Sequence, residues 1–80
     1  MSTRANVILK KGNRKIYLYR HCDGYPSGLG KELKECINKD PIETIFNIFE
    51  NTGVELTNGI HGDIEYLYTV DLDDLTINCE

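Results

Sequence analysis

Eighty residues, 40% of them apolar or aromatic, bound the chain to one small domain with a modest core. A core of that size contributes only ~3–5 kcal/mol, so association with a partner or into a homo-oligomer is open from length alone. Thirteen Asp and Glu against nine Lys and Arg give a net charge of −4, which argues against general duplex DNA binding by phosphate neutralisation.

Ala5 to Lys10 and Lys15 to His21, rich in Val, Ile, Leu and Tyr, read as strands. Gly12 and Asn13 between them suit a tight reversal, so the pair should form a hairpin. In the second strand Ile16 and Leu18 alternate with Tyr17 and Tyr19, leaving both faces partly apolar. One is expected to lie under helices and the other to meet a partner.

Gly28 to Lys39 reads as a helix, with Leu29, Leu33, Cys36 and Ile37 on one side and Lys31, Glu32, Lys34 and Glu35 on the other. A second helix is marked by Asp40 as N-cap, Pro41 at its first position and Glu43 completing a capping box. Ile42, Ile45, Phe46 and Phe49 form its expected apolar stripe, and Gly53 is a left-handed stop. Val54 to Thr57 reads as a short strand, Asn58 to Gly62 as a loop, and Asp63 to Asp71 as a well-patterned strand. Asp73 and Asp74 mark a turn before a last strand from Leu75 to Cys79. The class is therefore α+β, in the order ββααβββ: an antiparallel sheet of four or five strands with two helices on one face.

Cys22, Cys36 and Cys79 are an odd number without a Cys-x-x-Cys pair, which fits reduced thiols better than a disulfide framework or a zinc site. No apolar run approaches the ~20 residues needed to cross a bilayer, and the polar opening has no signal-peptide core. A soluble, cytoplasmic protein is the expectation.

The stretch from Tyr19 to Gly30 is the richest in chemistry: Arg20, His21, Asp23, Tyr25 and Pro26 stand among Gly24, Gly28 and Gly30. Asp23, Gly24 and Pro26 make a structural turn, with Gly24 suited to positive φ. Gly28 and Gly30 at a helix start could instead turn backbone N–H groups toward an anion, although neither a P-loop nor a dinucleotide fingerprint is present. The turn with structural glycines is the preferred reading. Arg20 is either a bidentate ligand for carboxylate or phosphate, or a structural partner of Asp23 or of an acid on the last strands. His21 and His61 could pair as acid and base or join Cys22 or Asp23 around a metal. Two solvent-edge or hydrogen-bonded histidines are the simpler account, and no metal is expected. Tyr66 and Tyr68 fit cross-strand packing, and Asp71, Asp73 and Asp74 fit a turn.

One resemblance covers most of the chain. Met1, Thr3 and Arg4 at the start, then Tyr19, Arg20, Asp23, Gly24, Tyr25, Pro26, Ser27, Gly28, Gly30, Lys31, Glu32 and Leu33, and finally Glu65, Tyr66 and Tyr68 carry it. These motifs resemble a family of small proteins spread through phages, prophages and bacteria. The resemblance implies a phage or mobile-element accessory protein with no established enzyme activity. Leu29 stands where His is common in that family, so an activity resting on that His would not carry over.

The expected function is stoichiometric binding to a host protein, as a counter-defence (anti-CRISPR-like) inhibitor in the host cytoplasm, without cofactor or catalytic residue. The acidic end could compete with nucleic acid for a basic groove on that host protein. Arg4, Tyr19, Arg20, His21, Asp23, Tyr25 and His61 are the candidate ligand- or partner-binding residues, with Gly24, Pro26, Gly28 and Gly30 as structural motif. A second reading is a module that binds or cleaves a nucleotide signal. There Arg4, Arg20 and the helix start would hold phosphate, Tyr19 or Tyr25 would stack on the base, and His21 or His61 would serve as general acid or base. A third is a structural housekeeping subunit.

Overall fold

Val, Ile and Leu on both faces of the first strand fit a position at the middle of a sheet, and β1 (Ala5–Lys11) is buried on both faces there. The computed structural model describes residues 3–80; Met1 of the opening motif and Ser2 lie outside them. β2 (Arg14–Arg20) returns antiparallel to β1 through Gly12 and Asn13, with Gly12 at φ 58, the left-handed geometry a two-residue hairpin favours at its first central residue. A single π-helical turn (Pro26–Gly30) leads into α1 (Lys31–Cys36), followed by α2 (Pro41–Asn51). Three short strands complete the chain: β3 (Glu55–Thr57), β4 (Tyr66–Asp71) and β5 (Thr76–Cys79).

The result is the expected α+β arrangement, with five strands and two helices in the order ββααβββ. The sheet runs β3-β2-β1-β4-β5 and is mixed, not antiparallel throughout as the sequence predicts: β1 and β4 pair in parallel, with Val7 opposite Tyr68, while the other three ladders are antiparallel. After β3 has been added outside β2, the chain crosses the sheet to reach the free edge of β1. That crossing sets β4 running the same way as β1.

Ala5, Val7, Leu9, Leu18, Tyr68 and Val70 form one sheet face, against which Leu29, Leu33, Cys36 and Ile48 of the helices pack. Burial of the Cys36 thiol pushes its pKa up. The crossing segment, residues 58–65, lies on the opposite face. There Asn6 is fully buried: its Nδ2 donates to Leu18 O at 2.7 Å and to Gly59 O at 3.4 Å, and its Oδ1 accepts from His61 N at 2.7 Å. The crossing segment thus helps to satisfy a fully buried amide, and the same bonds tie the segment to the sheet.

Three local expectations change. α1 stops at Cys36, because Ile37 is extended at ψ 130. The α2 N-cap is Asp40, which accepts from Ile42 N at 2.9 Å, but the reciprocal half of the cap comes from Asn38 Oδ1, which accepts from Asp40 N at 3.0 Å, rather than from Glu43. The stripe of α2 is rotated by roughly a third of a turn: Thr44 and Ile48 are buried and Ile45 half-buried, while Ile42, Phe46 and Phe49 are exposed. Polar bonding explains the rotation. Thr44 Oγ1 accepts from Asn38 N at 2.9 Å and donates toward Asn38 O, and Asn47 Nδ2 donates to Cys36 O at 3.3 Å. These bonds satisfy backbone at the α1–α2 junction, which holds the Thr44–Asn47 side of the helix inward. Among the described residues no helix is long and apolar enough to cross a membrane.

Candidate functional site

The candidate residues divide into two groups on opposite faces of the sheet. Tyr19 pairs with Asn6 across the β1–β2 ladder, so its ring lies on the crossing-segment face. His61 stacks on it with ring centroids 4.1 Å apart and planes inclined by 17°, and His21 meets it edge-on at 4.8 Å. Tyr19 OH donates to Asp63 Oδ2 at 3.2 Å, and Arg4 Nε reaches the same oxygen at 3.5 Å. Burial and the Asp63 carboxylate raise the Tyr19 pKa. His61 Nε2 is 2.8 Å from Thr57 Oγ1, and His21 Nε2 is 3.6 Å from Glu55 Oε2. Arg4, Tyr19, His21 and His61 are thus brought together through residues from β2, β3 and the crossing segment.

Arg20, Asp23 and Tyr25 lie on the other side. Arg20 Nη1 binds Glu32 Oε1 of α1 at 2.9 Å, its Nε donates to Cys22 O at 2.9 Å, and its side chain is only 13% exposed. Its partner is a helix acid rather than Asp23 or an acid of the last strands, and it ties the end of β2 to α1. Asp23 takes the positive φ of the turn, 54, and accepts from Tyr25 OH at 3.4 Å. Tyr25 is the half-exposed member of this group, with its ring against Gly28.

Gly24 serves close approach rather than positive φ. A Cβ there would stand 2.7 Å from Ala5 Cβ and 2.9 Å from Thr3 O. Its N–H donates to Thr3 O at 2.9 Å, and its carbonyl accepts from the buried Tyr68 OH at 2.6 Å. The loop after β2 is therefore tied to strands at the middle of the sheet. It crosses the end of the sheet over β1 and sets the π-helical turn above β4, where a Cβ on Gly30 would meet the Tyr68 ring at 3.2 Å. Pro26 opens that turn, and Asp23 O accepts from Leu29 N at 3.0 Å. The backbone N–H groups of Gly28 and Gly30 both point to Tyr25 O, so they face the protein's own carbonyl.

Both arginines wanted for phosphate are thus engaged by carboxylates within the fold. Both histidines lie against a tyrosine whose hydroxyl is itself hydrogen-bonded. Among the described residues no three His, Cys, Asp or Glu side chains are grouped to hold a metal ion. Asp73 binds Lys11 Nζ at 3.0 Å and Gly12 N at 2.8 Å, which clasps the β1–β2 hairpin and lowers its pKa.

What sequence reasoning missed is the outward face of α2. Ile42, Phe46 and Phe49 are 62%, 58% and 39% exposed, at i, i+4 and i+7, a row an isolated helix pattern assigns to the core. Exposed Glu43 and Glu50 flank Phe46 on the adjoining side of the helix and take part in no ion pair among the described residues. The competing signal was Thr44 with Asn47 and Asn38, a polar set suited to bonding the junction between two helices. No family model, curated protein or solved structure matches this chain.

Proposed function

We propose that the chain is a non-catalytic binding protein that presents α2 to an apolar groove on a partner protein. The observation that carries this reading is the exposed row Ile42, Phe46 and Phe49 with Glu43 and Glu50 beside it. Apolar anchors at i, i+4 and i+7 are the pattern of helix-in-groove recognition. The flanking carboxylates and the net charge of −4 fit a groove with Lys or Arg on its rim. Internal pairing of Arg4 with Asp63 and Arg20 with Glu32 supports protein binding over capture of a nucleotide phosphate. The resemblance to small phage and prophage proteins extends the proposal: the partner is a host protein, and binding blocks a host defence.

The test compares the wild-type chain with Phe46→Asp. Affinity capture from bacterial lysate should recover one protein in a fixed ratio, and the variant should weaken that complex by about thirtyfold or more, the ~2 kcal/mol of an anchoring aromatic. Its melting temperature should stay close to wild type. In defended cells, wild type should restore phage plating and Phe46→Asp should not. Recovery of no stoichiometric partner, or an undiminished complex with the variant, defeats the proposal.

A further inference from the structure

A second surface, which shares no residue with the exposed row of α2, runs along β5, and its chemistry is set by backbone. β5 is an outer strand of the sheet. Leu67 and Glu80 exchange both of their hydrogen bonds, at 3.0 and 2.8 Å, which fixes the alternation along the β4–β5 ladder. Thr69 with Asn78 and Asp71 with Thr76 are then the other bonded pairs, and Ile77 and Cys79 fall at the unbonded positions. The N–H and C=O groups of Ile77 and Cys79 therefore point away from the sheet.

Outer strands normally carry a guard: an added charge, a proline, a bulge or a covering loop. β3, the opposite edge, is three residues long and has the Glu55–His21 contact at its start. β5 reads Thr76, Ile77, Asn78, Cys79, without proline and with its nearest charge at Glu80, the next residue of the ladder, and is largely exposed. Beside it, on the helix face of the sheet, runs a groove of about 630 Å³ walled by Pro26, Ile37, Leu75, Ile77 and Cys79, with Tyr68 at its floor and Lys34 as its one charged residue. Lys34 makes no ion pair among the described residues. Leu75 is held at φ 58, a conformation an L side chain rarely adopts, and its side chain forms part of that wall.

We infer that β5 accepts an extended segment of a partner protein as a sixth strand. The segment carries apolar residues at alternate positions and a carboxylate opposite Lys34. The outward N–H and C=O groups of Ile77 and Cys79 bond its main chain. Alternate side chains of the added strand fall on the groove face, where the walls take apolar groups and Lys34 takes an acid. This surface is separate from α2, so the two can be broken independently.

Selection of short random peptides from a displayed library on the immobilised full chain tests the assignment, followed by affinity measurement on the enriched peptides. The enriched set should alternate apolar residues and contain Asp or Glu. Cys79→Pro removes one outward N–H while leaving the β4 ladder intact, and should weaken binding about tenfold with little change in melting temperature. Cys79→Ser, which keeps that N–H, should bind like wild type. Lys34→Glu should disfavour the acidic peptides, and Phe46→Asp should leave peptide binding unchanged. In the wild-type chain, added peptide should slow hydrogen exchange at the Ile77 and Cys79 amides, a readout that does not depend on any variant folding. No enrichment, enrichment of peptides spaced for a helix, or unaltered exchange at both amides overturns the inference. A dimer by light scattering that Cys79→Pro dissociates also overturns it, by assigning the edge to a second copy of the chain.

Discussion

Gly24→Ala is the substitution whose cost can be worked most fully from the geometry. The added methyl would stand 2.7 Å from Ala5 Cβ and 2.9 Å from Thr3 O, and neither atom is the free end of a flexible side chain. Nor can Gly24 easily retreat, since its N–H bonds Thr3 O at 2.9 Å and its carbonyl takes the Tyr68 hydroxyl at 2.6 Å. Overpacking of this kind costs about 1–3 kcal/mol, and loosening either hydrogen bond adds about 1 kcal/mol. A total near 3 kcal/mol is a large part of the ~4–12 kcal/mol expected for a chain of this length. The melting temperature should fall by roughly 12–24 °C. Thermal and urea unfolding of Gly24→Ala, Ala5→Gly and the double variant measure this as a cycle. Because Ala5→Gly removes one of the two colliding atoms, the double variant should be more stable than the sum of the single effects predicts, by about 1 kcal/mol. A Gly24→Ala protein within ~0.5 kcal/mol of wild type, or strict additivity in the cycle, would refute the close-approach argument.

Arg20→Ala should lower stability by about 1–2 kcal/mol, because it strips Glu32 and Cys22 O of a partner that is largely out of water; unchanged urea unfolding would remove Arg20 from the scaffold. Asp73 has a lowered pKa, first through the Gly12 N–H and then through Lys11, so its stabilising effect is present above about pH 4 and is lost as pH falls through its folded value. The Asp73→Asn variant should therefore show a flatter stability profile than wild type between neutral pH and acid. Tyr68 is pushed in the other direction by burial, which favours its neutral form. Above about pH 10 the unfolded chain can release this proton while the folded chain retains it, so stability should fall with rising pH there. Ultraviolet titration of wild type against Tyr68→Phe should show no phenolate from Tyr68 until the protein unfolds.

The elements were legible because their signals are local. A continuous Val-Ile-Leu run marks β1, aliphatic and aromatic residues in turn mark β2 and β4, and Asp40 with Pro41 marks the start of α2 whatever packs on them. Two candidate groups were legible only as inventories. Tyr19, His21 and His61 could be named as site residues, but their contact depends on residues 58–65 crossing the sheet onto Tyr19. Arg20 could be named as an ion-pair former, but Glu32 becomes its partner only when the loop after β2 folds over β1.

The amino-acid pattern alone determined the α+β class, the hairpin at Gly12, the succession ββααβββ and the turn character of Asp23 to Pro26, since each follows from side-chain period, backbone freedom or capping within a few residues. The tertiary structure decided the rest. It made β4 parallel to β1, because strand direction depends on where a crossing segment returns the chain. It turned Ile42, Phe46 and Phe49 to solvent, because the hydrogen bonds of Thr44 and Asn47 at the α1–α2 junction outweighed the apolar stripe in setting the helix rotation. It also gave Gly24 its purpose, since the room for a side chain there is set by Ala5 and Thr3, far away in sequence and adjacent only in the folded chain.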